Sequence, residues 1–445
     1  MMKNLLSKLH TQLGDFWWYS LMLFCASRAA DCLNVFVGLW LVPKYVEPSE
    51  LGAVMPLANF ASFLALPAAV FASTFRQELS GLATTRQFGK MKTLMRSVFI
   101  AAAIFLFLAI VISHFILPHF LTRIRIAEGS LGMLIIIYSF INTIAPIFQN
   151  ALQSLKKFKA TTVISLLGAP IRFIAMIATM PLRALSGYFV GQTSTPTFTI
   201  VTAVVALRKE LSVKAEPYWT KPAIKKFSKL FLIFGISGIT GGFAALIEST
   251  ILRQRIPEIE SAAYYMTTRF SDIASFVCAT LSFTIFPFAA RLAAQGKSTN
   301  TLVVKSTIAI LISNAAIATF FWFCGSPILK VLPNGAQYAD YWWAIELVIL
   351  QGTLAQFAIL YTTAEVSANR FRYLWWSVPL SVLYPATLLF ITGYGYFSNY
   401  LPSSMSTFLN QHNITSLATI LWWSIGYHFI RMALCIIDAL WKKKS

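Results

Sequence analysis

The amino-acid sequence predicts an all-α polytopic membrane protein of twelve transmembrane helices, arranged as two six-helix lobes related by a parallel pseudo-twofold repeat. Three observations predict it. Of 445 residues, 57% are hydrophobic and 12% are charged, with a mean hydropathy of +0.67; a soluble chain would carry about 25% charged residues. Apolar runs long enough to cross a bilayer, about 20 residues each, recur along the whole chain. The longest polar interruption divides those runs six from six.

The runs lie near 16–43, 52–75, 94–118, 127–152, 161–182, 184–207, 230–252, 262–289, 304–328, 341–364, 373–396 and 416–440. Residues 1–15 (MMKNLLSKLHTQLGD) are too polar for a signal-peptide core and have no small-residue cleavage site. They read as a short amphipathic cytoplasmic lead-in. Residues 16–207 then form the N-lobe (spans 1–6) and 230–445 the C-lobe (spans 7–12). Between them, 208–229 (RKELSVKAEPYWTKPAIKKFSK) is a basic cytoplasmic linker with seven basic residues and two prolines. Its second half fits a basic amphipathic helix on the inner leaflet. The five cysteines, Cys25, Cys32, Cys278, Cys324 and Cys435, all fall inside spans and form no CxxC pair and no disulfide framework.

The net charge of +20 could suggest a nucleic-acid partner, but its placement excludes that class. Twenty-five lysines and arginines fall in segments or at span ends on the side of the termini, seven on the opposite side and four in span interiors. The positive-inside rule then puts both termini in the cytoplasm and the protein in the inner (cytoplasmic) cell membrane. The surplus is topology plus attraction to anionic membrane lipid. Tryptophan doublets agree: Trp17 with Trp18, Trp342 with Trp343 and Trp375 with Trp376 sit at span ends, where indoles prefer the headgroup layer.

The halves also resemble one another. ELGAVMPLANF (50–60) and ESAAYYMTTRF (260–270) open the second span of each half, at an offset of 210; ALQSLKKFK (151–159) and AEVSANRFR (364–372) close the fourth, at an offset of 213. Six spans per half is an even number, so both halves enter from the same side. That predicts a pseudo-twofold along the membrane normal and a substrate path between lobes.

An ionisable side chain at mid-bilayer costs about 2.5–3.5 kcal/mol on insertion scales, so each one marks a candidate site. The candidates are Arg28 and Asp31 in span 1, Arg172 in span 5, Glu248 in span 7, Arg269 and Asp272 in span 8, and Arg431 in span 12. Glu346, Glu365 and Asp438 lie near span ends, where side chains reach the interface, and are set aside. Arg28-x-x-Asp31 and Arg269-x-x-Asp272 share one form, and i, i+3 spacing puts both charges on one helix face. Two readings stand open. Each pair is either a self-neutralised structural lock, or a cavity lining in which arginine forks onto an anionic group and aspartate orients it. Arg172 and Arg431 are weaker candidates, having no acid on their own turn. The glycines of span 7 (Gly235, Gly238, Gly241, Gly242) allow either close packing through Gly238-x-x-x-Gly242 or bending. The sequence has no Walker-type phosphate loop, HExxH or GxSxG, and points to no catalytic residue, metal ligand or cofactor.

The arrangement resembles the multidrug/oligosaccharidyl-lipid/polysaccharide (MOP) exporter superfamily. YVEPSELGAVMPLANFASFLALPAAVFASTFRQELSGL (45–82) resembles that superfamily's turn and step into span 2, and SAAYYMTTRFSDIAS (261–275) its counterpart in the second lobe. The polysaccharide-transport branch, the O-antigen-type flippases, is the nearest in character. The resemblance implies that spans 1, 2, 7 and 8 line a central cationic cavity, with Arg28, Asp31, Arg269 and Asp272 in its wall and Asn59 at the repeat position of Arg269. It also implies a polyprenyl-diphosphate-linked oligosaccharide as substrate, flipped from the cytoplasmic to the outer leaflet for cell-surface polysaccharide assembly, with a polysaccharide polymerase or other assembly proteins as partners. Asp31 and Glu248 are then the candidates for ion coupling. A cation-coupled multidrug exporter of the same superfamily is an alternative, opposed by four arginines within spans. A membrane-embedded polysaccharide polymerase or ligase is another. It is opposed by the outer segment 397–415, which carries no formal charge and one histidine, His412.

Overall fold

The computed structural model of the chain describes residues 24–126, 130–155, 157–295, 299–368, 370–392 and 416–441. The lead-in 1–15, Trp17, Trp18 and the outer segment 397–415 lie outside the described residues. Among the described residues there is no strand. Lipid offers no hydrogen bonds, so a spanning segment must satisfy its backbone within itself, which a helix does. In chain order the long helices are α1 (Phe24–Tyr45), α2 (Val54–Thr84), α3 (Phe88–Arg123), α4 (Ser130–Ser154), α5 (Phe158–Thr179), α6 (Ala184–Ser212), α7 (Lys221–Arg255), α8 (Glu258–Ala294), α9 (Asn300–Val331), α10 (Trp342–Ser367), α11 (Leu374–Ile391) and α12 (Leu417–Trp441). A single turn, Pro48–Leu51, precedes α2, and a 3-10 turn, Gly335–Tyr341, precedes α10.

Each apolar run of the sequence overlaps one of these helices. Nine helical segments among the described residues are long and apolar enough to cross a membrane. With α3, α7 and α8, helices of 36, 35 and 37 residues, the order is compatible with twelve spans. At 1.5 Å per residue α3 is about 54 Å long, against a hydrocarbon core of about 30 Å. Several helices therefore extend beyond their apolar runs into polar sequence.

The chain divides into two compact units. The first holds the chain up to Val37, then Ala61–Thr122 and Ala127–Gly238; the second holds Gly38–Phe60, Arg123–Ile126 and the chain from Ile239. Helices α1, α2 and α7 thus contribute to both. α1 changes unit where it enters a π-helical turn, Val37–Leu41, and α7 changes unit at Gly238, inside its glycine cluster.

In the first unit α4 and α5 both pack on α6. α5 and α6 approach closely, because a Cβ on Gly187 would stand 2.5 Å from the carbonyl carbon of Thr179. Small residues permit such backbone proximity in membranes. At one end Phe75, Leu79, Leu94, Met95, Leu152 and Leu207 form a buried cluster. The connector 213–220 is strapped over this end: Lys92 Nζ donates to Val213 O at 2.9 Å, Trp219 Nε1 to Ser97 Oγ at 2.8 Å, and Tyr218 OH to Glu78 Oε2 at 3.0 Å. Burial, with Glu78 beside it, pushes the Tyr218 phenol well above its ordinary range, so it stays a donor. Residues 221–229, expected to form a basic amphipathic helix, are helical. They form the first turns of an unbroken α7, where Pro222 is tolerated because opening N–H groups lack intrahelical partners.

In the second unit α8 runs along α10, which also packs on α9 and α12. The α7–α8 corner is tied by Arg253, which is 1% exposed and donates to Ile124 O at 3.0 Å and Ser49 O at 2.6 Å. Glu258 stands 3.8 Å from Arg253 and 3.3 Å from Arg125. Gly52 meets α8 so closely that a Cβ would lie 3.0 Å from the Ser261 carbonyl carbon and within its side chain. Gly241 is the opposite case, since a Cβ there would meet nothing within 4 Å. Close packing therefore does not account for that glycine.

Two alanine substitutions separate these roles. Gly241→Ala should raise the apparent melting temperature in detergent, by the roughly 1 kcal/mol of helix propensity that glycine forfeits. Gly52→Ala should lower it through overpacking, by about 1–3 kcal/mol. Scanning fluorimetry of the two purified variants checks both signs.

Candidate functional site

Each unit holds one Arg–Asp pair, with the other candidate residues beside it or, for Arg431, apart from it. In the first unit, one helical turn brings Arg28 Nη2 to 2.9 Å from Asp31 Oδ2, with side chains 24% and 30% exposed. The Arg28 guanidinium lies over the Phe24 ring at 5.8 Å, within cation–π range. Arg172 on α5 is close enough for its charge to act on Asp31. Its Nη1 donates to Gln192 Oε1 at 3.1 Å, and Gln192 Nε2 donates to Tyr188 OH at 2.8 Å. Arg172, which lacks an acid on its own turn, therefore obtains a neutral partner from α6 and shares the field of Asp31. Edge contact between Phe36 and Phe173, with centroids 6.1 Å apart, sets α1 against α5.

In the second unit, Arg269 Nη1 and Asp272 Oδ2 are 3.0 Å apart, repeating the first pair, with side chains 28% and 45% exposed. Arg269 lies over the Tyr265 ring at 5.1 Å. Its aliphatic stem packs against the π-turn of α1, where a Cβ on Gly38 would stand 2.6 Å from Arg269 Cδ. Glycine at 38 thus lets the stem pass, and the hydrocarbon part of arginine is buried while its head stays polar.

Glu248 on α7 has a different environment. Tyr264 OH and Gln351 Nε2 approach its Oε1 at 3.4 and 3.5 Å, and Gln351 Nε2 also donates to Ser424 Oγ at 2.6 Å. These neighbours, from α8, α10 and α12, are all neutral. Arg269 acts electrostatically on Tyr264, which joins the Glu248 cluster to the Arg269–Asp272 pair. Asn59 does not touch that pair. Its amide donates to Ala245 O at 3.2 Å and to Ser249 Oγ at 3.0 Å, one residue along α7 from Glu248. Arg431 lies elsewhere on α12, with its charge acting on Tyr373, His428 and Cys435.

Two acids set aside as interfacial are in fact buried: Glu365 is 1% exposed and Asp438 5%. Neighbouring helices cover them, which position along a span does not reveal. Reading by charge also passed over Gln192, Tyr188, Tyr264, Gln351 and Ser424. Neutral polar residues within spans were the available signal, since they seek partners across helices.

No family model matches the chain, and no curated protein matches it. Solved structures do. An inward-facing multidrug resistance MATE family transporter of the MOP superfamily aligns over 94% of this chain and 96% of its own, with TM-score 0.63 and 14% identity. The chain shares its fold with that transporter. The lipid II flippase MurJ in an inward closed conformation aligns over 94% and 91%, with TM-score 0.61 and 12% identity. A MOP superfamily transporter from Pyrococcus furiosus, described as having a binding pocket of reverse polarity, aligns over 95% and 94%, with TM-score 0.61 and 12% identity. These likenesses show the fold alone, an all-helical arrangement shared with polytopic membrane proteins.

The pairs make a thermodynamic prediction. Arg28→Gln strands Asp31 and should lower the apparent melting temperature, while adding Asp31→Asn should recover part of the loss. The same cycle at Arg269 and Asp272 should show weaker coupling, because Asp272 is the more exposed acid. Strictly additive losses at both pairs would mean that neither ion pair contributes.

Proposed function

We propose that the protein is an alternating-access MOP-type flippase that moves a polyprenyl-diphosphate-linked oligosaccharide from the cytoplasmic to the outer leaflet. The observation that carries this reading is the repeated Arg–Asp pair, one in each unit, only partly buried on helices that are otherwise apolar. A pair serving only as a lock would be closed off from solvent on all sides. These arginines keep about a quarter of their side chains accessible, which suits contact with an anionic group passing along a wet path. A diphosphate matches the planar donor fork of arginine. Each aspartate limits the field of its arginine, so that the head group is held weakly enough to leave. The likeness to a lipid II flippase and to a transporter of reversed pocket polarity supports an anionic cargo. The glycan would cross with its head along the path while the lipid tail stays in the bilayer, in the cytoplasmic membrane of a cell that assembles surface polysaccharide.

Glu248 is the better candidate of the two acids for coupling to an ion gradient. Asp31 is already neutralised by Arg28, whereas the neighbours of Glu248 are hydroxyls and an amide. A carboxylate in neutral surroundings has a charge to trade for a proton or a sodium ion. It is also the feature that favours the second reading, a cation-coupled exporter of organic cations like the multidrug transporters that share the fold.

The test is head-group translocation in proteoliposomes, using a fluorescent polyprenyl-diphosphate sugar. Wild type should flip it, and Arg28→Gln and Arg269→Gln should each slow flipping by roughly tenfold or more, as expected for a lost charge-assisted hydrogen bond. Glu248→Gln should remove any dependence on a proton or sodium gradient. Flipping unchanged in both arginine variants would return the pairs to a structural role. Transport of an organic-cation dye in place of the sugar would establish the exporter reading.

A further inference from the structure

A cleft of about 330 Å³ lies at one end of the second unit, where the turn before α11 meets the last turns of α12. Arg372, Trp375, Trp376, Asp438 and Trp441 supply its polar and aromatic lining. Its construction starts from Asp438. That carboxylate is 5% exposed, accepts the Tyr361 hydroxyl at 2.6 Å on Oδ2, and holds Arg372 Nε at 3.5 Å from Oδ1. The guanidinium also lies over the Trp441 ring at 5.2 Å. Arg372 is thus fixed through Nε and one face, yet its side chain remains 47% accessible. Among the described residues no protein acceptor is found for its two Nη groups. Trp376 adds a second unused donor, since its Nε1 is buried and has no hydrogen-bond partner among the described residues. Trp375 and Trp441, 86% and 63% exposed, stand open around the cleft.

Two unsatisfied donors in a concave, indole-lined site call for an acceptor-rich ligand, and the guanidinium calls for an anion. Asp438 does not oppose this, because its charge is committed to Arg372 and Tyr361. Exposed tryptophans with arginine at helix ends mark the headgroup depth of a bilayer, where phosphate is the abundant anion. In the sequence Arg370 precedes the site by two residues, and Trp441 is followed directly by Lys442, Lys443 and Lys444. The sequence flanking the site is therefore basic, as for recognition of anionic lipid. We infer that this cleft binds the phosphate headgroup of a membrane phospholipid, with Arg372 and the Trp376 N–H as donors and Trp375 and Trp441 against the glycerol backbone. The occupant is a bilayer lipid, bound independently of the transported molecule, so the site stands whether or not the flippase reading does.

The experiment is native mass spectrometry of the delipidated full-length protein, titrated with palmitoyl-oleoyl phosphatidylglycerol and, separately, with the matching diacylglycerol. One phosphatidylglycerol should bind more tightly than the rest, and diacylglycerol should not reproduce it. Arg372→Gln should weaken that binding about tenfold. Trp376→Phe keeps an aromatic side chain and leaves the Arg372–Asp438 pair in place, so it should fold normally and still weaken binding several-fold. Equal affinity in wild type and Trp376→Phe, or diacylglycerol binding as well as phosphatidylglycerol, would overturn the proposal. Displacement of the lipid by millimolar inorganic phosphate would also overturn it, by showing a small-anion site.

Discussion

A charge in hydrocarbon must find its counter-charge nearby, and the most economical place is one turn away on the same helix. That constraint organises this protein. Arg28 with Asp31 and Arg269 with Asp272 are each complete before any tertiary contact forms, so each helix can enter the membrane carrying a nearly neutral unit. Phe24 and Tyr265, one turn earlier on the same helices, cover the two arginines, and tertiary structure then adds Arg172 beside the first pair and the Gly38 turn beside the second. Neutrality lets the charges be buried, and incomplete burial leaves them usable.

The charges without an intrahelical partner are solved differently, and the difference separates their roles. Arg253 is enclosed and turns Nε and Nη2 to backbone carbonyls of two other segments, so it works as a corner brace. Arg372 is braced by one buried acid and keeps its remaining donors outward. Glu248 has hydroxyls and an amide about it, which solvate a carboxylate without cancelling its charge. The same need for a partner is thus met by backbone carbonyls at Arg253, by a buried acid at Arg372 and by neutral polar groups at Glu248, depending on what the surrounding helices offer.

Two of the helices that serve both units, α1 and α7, carry a distinctive feature where they change unit, whereas α2 passes from one to the other as a regular helix. α1 does so at a π-helical turn, and α7 at a run of glycines in which a Cβ on Gly241 would meet nothing within 4 Å among the described residues. Both features weaken the regular hydrogen-bond ladder or the stiffness of the helix. The strapped connector 213–220 works in the opposite sense, since side-chain bonds from α2 and α3 fasten it to the first unit.

Much of this was legible in the chain itself. Hydropathy placed a helix at every apolar run, because in lipid a long apolar segment has no other way to satisfy its backbone. The i, i+3 spacing foretold both ion pairs, because a single helix carries the two partners at a distance set by its own geometry. What sequence could not supply was every relation between helices. Glu248 and Arg172 gained their neighbours from helices remote in the chain, Asn59 turned to Ser249, and Asp438 was buried despite standing near a span end. The basic stretch 221–229 became the start of a long helix, because continuing α7 satisfied its backbone without a break. Local periodicity and charge balance decide whether a segment is a helix and whether it tolerates the membrane. Which faces meet is decided by packing, since only there do side chains tens or hundreds of residues apart compete for the same partner.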